Sequence, residues 1–142
     1  MLRFVLLLLL ALPISVAAQT ETQVVTNKKL KVVFQLTTAD TLSQKALIKQ
    51  LNNFLKAAPN AQLEVVCHNN GITFLQTQVT KQAEGIKALA ARGVDFVACE
   101  NTLRERKIDK KDLLPEISFV PAGVVEIVLK QDKGWAYIKA GI

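Results

Sequence analysis

After Lys29 the chain alternates short apolar runs with longer helical patterns, and this alternation limits the fold more than any other feature. Leu30 to Leu36, Gln62 to Val66, Val94 to Ala98, Ile117 to Val120 and Trp135 to Ile138 are rich in branched and aromatic residues and read as strands. Between the first two, Leu42, Ala46, Leu47, Leu51, Phe54 and Leu55 recur at helical spacing. Thr41 and Gln44 are placed as a capping box for that helix, and Pro59-Asn60 ends it. Val79, Ala83, Ile86, Leu89 and Ala90 form the face of a second helix, stopped at Arg92-Gly93. A third starts just beyond Cys99, where Thr102 and Glu105 form another capping box, and Asp109 caps a short turn towards Leu113-Leu114. Pro121 can start a fourth, which Lys133-Gly134 ends.

Strands alternating with helices pair in parallel, with helices on both faces of the sheet. The expected architecture is a three-layer α/β/α domain of about five mostly parallel strands. The expected strand order is 2-1-3-4-5, with a switch point beside the first strand.

The first eighteen residues stand apart. Met1-Leu2-Arg3 is a short basic start, Phe4 to Leu12 is apolar, and Pro13 to Ala18 ends in small residues. That is the order of a secretory signal peptide, with cleavage expected near Ala18. The apolar run is too short for a membrane span. The expected destination is the periplasm if the source is a Gram-negative bacterium, with no membrane attachment after cleavage. Removing this leader leaves 124 residues and a net charge of +5. That suits one ordinary domain, residues 30–142, after a polar, flexible lead-in over 19–29.

In a parallel sheet ligands sit outside the carboxyl ends of the strands. Both cysteines and the only histidine fall there: Cys67-His68 after the second strand, Cys99 after the third. Cys99 also precedes a helix, whose unpaired amides favour a thiolate. Arg104 and Arg106 could add positive potential, and Glu100 works against it. The plainer alternative for Cys99 is a small buried hydrophobe. His68 could be a base, a metal ligand, a thiolate partner or a loop side chain bonded to backbone. The order 2-1-3 would set a strand between the two cysteines, about twice the 4.8 Å strand spacing apart, which disfavours a disulfide.

Other chemistry has little support. There is no Gly-rich phosphate loop and no G-x-S-x-G elbow. One histidine and two distant cysteines do not make a structural zinc site, and no cofactor is implied. The basic stretch Arg104 to Lys111 is interrupted by acids and reads as a solvated face, so no nucleic acid is expected.

Three segments carry a resemblance. They are Val65-Val66-Cys67-His68-Asn69-Asn70-Gly71-Ile72, Gly93 to Leu103 with its Cys99-Glu100-Asn101-Thr102, and Asp112 to Pro115 continuing through Val120-Pro121-Ala122-Gly123 to Lys139. On these the chain resembles the DsrE/DsrF-like family, in its exported branch. Cys67 and Asn69 depart from the pattern, where a small residue and a glycine are commoner. The resemblance implies a parallel α/β fold, trimers or hexamers, and sulfur carried as a persulfide on the cysteine that Cys99 matches. His68 would orient or protonate the transferring sulfur, Cys67 would resolve the persulfide, and Asn101, Thr102 and Gly71 would contact the substrate. Sulfur donor and acceptor thiol proteins would be the partners, and the activity, if any, would be sulfurtransferase-like. The other reading is a non-catalytic oligomeric binding module, holding a small ligand or soft metal in the same crevice.

Overall fold

The structure is a computed structural model that describes residues 24–141. The leader lies outside the described residues. Five strands form one sheet: β1 (Lys31–Leu36), β2 (Gln62–Cys67), β3 (Asp95–Cys99), β4 (Ile117–Val120) and β5 (Ala136–Ala140). Every pairing is parallel. The helices are α1 (Thr41–Ala57), α2 (Ala83–Ala90), α3 (Glu100–Arg106) and α4 (Gly123–Asp132). The α/β class is as the sequence implies.

The strand order corrects the expectation: it is β4-β3-β2-β1-β5, not 2-1-3-4-5. Burial explains why. β2 is buried from Leu63 through Cys67, which requires neighbours on both sides, whereas the expected order makes it an edge. β4 and β5 are the more exposed strands, and they are the edges.

Right-handed crossovers then fix the layers. The steps from β1 to β2, β3 and β4 all run in one direction, so α1, α2 and α3 fall on one face. The step from β4 back to β5 reverses direction, so α4 falls on the other. Side-chain packing follows the same division. Leu47, Leu51 and Leu55 of α1, Ile86 and Leu89 of α2 and Leu103 of α3 join Phe34, Val65 and Phe96 in the main core. Ile127 of α4 packs with Val33, Val66 and Val97 on the opposite face.

Several helix starts also differ from expectation. Asp40, not Thr41, caps α1, accepting from the Ser43 amide at 2.7 Å. Gln44 is buried instead and donates to Thr73 and to the Thr38 carbonyl. α3 begins at Glu100 with Cys99 itself at the N-cap, so Thr102 sits inside the first turn. Val79 precedes α2 and is exposed, and α4 starts at Gly123 rather than Pro121. The loop after Cys67 is a 3₁₀ turn, Asn69–Phe74.

Candidate functional site

The reversal at β4 creates the switch point. Connections leave β3 and β4 towards opposite faces, and a crevice opens between their carboxyl ends. It lies there rather than beside β1, and Cys99 ends the strand on one side of it. Across it the Asn101 amide donates to the Pro121 carbonyl at 3.2 Å, tying the two loops together.

Cys99 Sγ accepts a hydrogen bond from the Gly123 amide at 3.2 Å. The sulfur therefore meets the first turns of two helices, α3 and α4. Burial raises the thiol's pKa. The Gly123 hydrogen bond, together with the nearby Thr102 amide and hydroxyl and Asn101 amide, outweighs it, and the net pKa lies below a free thiol's ordinary value. The two arginines contribute less directly than expected. Arg104 bonds the Asn101 side chain, Arg106 bonds that of Asn70 at 2.6 Å, and Glu100 is paired with Lys110.

His68 and Cys99 share a sheet face. A Cβ on Gly123 would lie 3.2 Å from Cys99 Cβ and 3.6 Å from His68 Cβ. Glycine at that position is what lets α4 approach both. His68 is buried, and desolvation lowers its pKa, so the ring is neutral near pH 7. Its Nε2 faces Gln35 Nε2 at 2.7 Å, and the Tyr137 hydroxyl donates to Gln35 Oε1.

Cys67 goes elsewhere. It alternates with Val66 and His68, so its side chain enters the main core beneath α1 and α2, fully buried. Burial pushes its thiol pKa far up. Both cysteines are free. The sequence argument against a disulfide fails in its premise, because β2 and β3 are neighbours and Cys67 pairs with Ala98. The two thiols are separated by the sheet itself. For the same reason a soft-metal site built from Cys67, His68 and Cys99 is not assembled, and the described residues contain no group of three or more candidate metal ligands.

The remaining candidates divide. Thr102 is buried, and besides reaching Cys99 its Oγ1 accepts from the Asn69 amide at 3.2 Å. Asn69 adopts a left-handed φ of 50°, which Asn tolerates better than most residues. Asn101 lies at the rim. Gly71 is buried against β1, where a Cβ would fall 2.1 Å from the Leu36 carbonyl oxygen. It lets the turn pack closely and presents no group to a substrate. Gly123, Gln35 and Tyr137 are additions to the sequence-derived set. Gln35 could have been noticed as an amide in an otherwise apolar strand, and Tyr137 as the only tyrosine.

A parallel sheet with a cysteine at its switch point, its pKa lowered by the Gly123 amide and its neighbours, defines a thiol-bearing α/β domain. The DsrE/DsrF-like family profile matches residues 26–140, and the chain belongs to that family. Membership suggests a sulfur-relay-like role. Among solved structures, a protein of unknown function from Methanobacterium thermoautotrophicum is similar, with 33% identity and a TM-score of 0.75. The match covers 78% of this chain and 99% of that one. No curated protein matches the chain.

Proposed function

We propose that this is an exported sulfur-handling protein in which Cys99 carries sulfane sulfur as a persulfide. The observation that carries the reading is the Gly123 amide donating to Cys99 Sγ at 3.2 Å, in a cradle that favours the thiolate. The Cys99 thiolate attacks the outer sulfur of a donor persulfide. A new S–S bond forms, the donor's S–S bond breaks, and the donor leaves as a thiolate. An acceptor thiolate then attacks the outer sulfur and expels Cys99 as a thiolate. The depressed pKa makes Cys99 competent in both directions, as nucleophile and as leaving group. Thr102 and Asn101 hold the sulfur, and Cys67, on the far face, takes no part.

The test is intact-mass analysis after treatment with a sulfane donor. Cys67→Ala should gain one sulfur and pass it to a small thiol, and Cys99→Ala should not. Uptake by neither, with a small ligand or metal recovered on the purified protein, favours the binding module. Export rests on residues 1–18 and is tested by N-terminal sequencing of the mature protein, expected to begin at Gln19 or Ala18.

A homo-oligomer, trimer or hexamer, is part of the same proposal. Val124, Val125, Val128 and Leu129 of α4 are each 46–58% exposed in two adjacent rows, an apolar patch of the kind that marks an interface. Light scattering should show an assembly at tens of micromolar. Val128→Asp should dissociate it while changing monomer stability by only about 0.5 kcal/mol.

A further inference from the structure

The face that carries Cys99 also carries a hydrogen-bonded row across three neighbouring strands. Tyr137 lies on β5, Gln35 on β1, and His68 directly after β2, in the order in which these strands stand side by side. The Tyr137 hydroxyl donates to Gln35 Oε1, and Gln35 Nε2 lies 2.7 Å from His68 Nε2. An amide NH₂ only donates, so the imidazole nitrogen it meets must present its lone pair. A neutral ring accepting at Nε2 carries its proton on Nδ1. The Tyr137 hydroxyl, the better donor than acceptor, binds Oε1 and so favours the orientation that turns Nε2 to the ring. His68 is only 8% exposed, so little water is available to offer Nε2 another partner.

We propose that Tyr137 and Gln35 are positioning residues that hold His68 as its neutral Nδ1–H tautomer, making it a hydrogen-bond donor to sulfur on Cys99 rather than the base that ionises Cys99. The role towards sulfur rests on the function proposed above; the tautomer is a property of the resting protein. With Nε2 committed to Gln35, that nitrogen cannot take the thiol proton. Protonating it would set two donors face to face until the amide turned over. Ionisation of Cys99 is left to the Gly123, Thr102 and Asn101 amides and the Thr102 hydroxyl, which already favour the thiolate. A neutral Nδ1–H is a poor proton source, so His68 orients the outer sulfur and does not protonate it.

The chain has one histidine, so its imidazole ¹⁵N spectrum is unambiguous. In the full protein, reduced and near neutral pH, Nε2 should show the unprotonated signature and Nδ1 the protonated one. Gln35→Glu places an acceptor at Nε2, so the tautomer should invert and the His68 titration midpoint should rise. Tyr137→Phe, a milder change, frees the amide to turn and should give a mixture of tautomers. Persulfide transfer by Gln35→Glu should slow by about tenfold or more, the scale of one hydrogen bond to a charged group. A proton on Nε2 in the unmodified protein overturns the proposal. So does an unchanged tautomer in folded Gln35→Glu. If the tautomers behave as expected but Cys99 never takes up sulfur, the sulfur-carrier reading falls, and with it the role of His68 towards sulfur.

Discussion

Thr102→Val isolates the hydroxyl contribution to the Cys99 thiolate. The two side chains have nearly the same shape, and Thr102 is buried, so the loss is of hydrogen bonds rather than volume. A hydrogen bond to an ionised group contributes about 1.5–3 kcal/mol. At about 1.36 kcal/mol per tenfold, the thiolate population below the titration midpoint should fall by about tenfold to a hundredfold. The assay is the pH dependence of alkylation in a Cys67→Ala background, where Cys99 is the only thiol. The sign follows from the depressed pKa. The native thiolate contributes stability above the unfolded thiol's pKa, and that contribution is lost as pH falls through the folded value. Thr102→Val should therefore move the alkylation midpoint upward and shrink this pH-dependent stability. It also leaves the Asn69 amide without its acceptor, at about 1–3 kcal/mol, which denaturant unfolding reports separately. Thr102→Ser keeps the hydroxyl and should restore the midpoint. An unchanged midpoint in Thr102→Val, or an equal shift in Thr102→Ser, would refute the assignment of the hydroxyl to the sulfur.

Three further outcomes follow from packing and charge. Cys67 should resist alkylation until the protein unfolds, and Cys67→Ser should cost about 1–3 kcal/mol in urea unfolding by burying a hydroxyl in an apolar site. Gly71→Ala should destabilise by about 3 kcal/mol, because its Cβ would meet the Leu36 carbonyl oxygen at 2.1 Å and that atom is backbone. Lys130→Met should cost up to about 3 kcal/mol near neutral pH, since it strips the ion-pair partner from buried Glu64, which can then escape its charge only by taking up a proton. Burial already raises the Glu64 pKa, so this penalty should be absent below the unfolded carboxyl value and grow as pH rises above it, a trend visible in urea midpoints at acidic and neutral pH.

The periodicity of the chain exposed its elements, because a strand buried on both faces and a one-sided helix leave different patterns. It did not expose which side of β1 each new strand joins. The mistaken order had one readable warning: Leu63 to Cys67 is nearly all apolar, which suits an inner strand. The site divides in the same way. Cys99 at a strand end before a helix was legible locally. The Gly123 amide was not, since it opens α4, 24 residues away, and meets Cys99 only because β3 and β4 are neighbours. Strand alternation could have separated Cys67 from His68. Adjacent residues at a strand end face opposite ways, so only one of them can join Cys99.

The same reversal of direction that makes the crevice also leaves one face of the sheet half covered. Five strands spaced about 4.8 Å apart span roughly 19 Å between the outer two, whereas a helix with its side chains is about 10 Å wide. Three helices can cover one face; α4 alone cannot cover the other. It packs over Val33, Val66 and Val97, which places its first turn on Cys99. The β5 flank stays open, and Tyr137 there is 40% exposed while its hydroxyl still reaches Gln35. Moving α4 towards β5 to shield that flank would take the Gly123 amide away from the sulfur. The thiolate cradle and the exposed flank are thus two results of one placement. A second copy seated on α4 and this flank, as the proposed assembly requires, would bury the apolar surface that this placement leaves open.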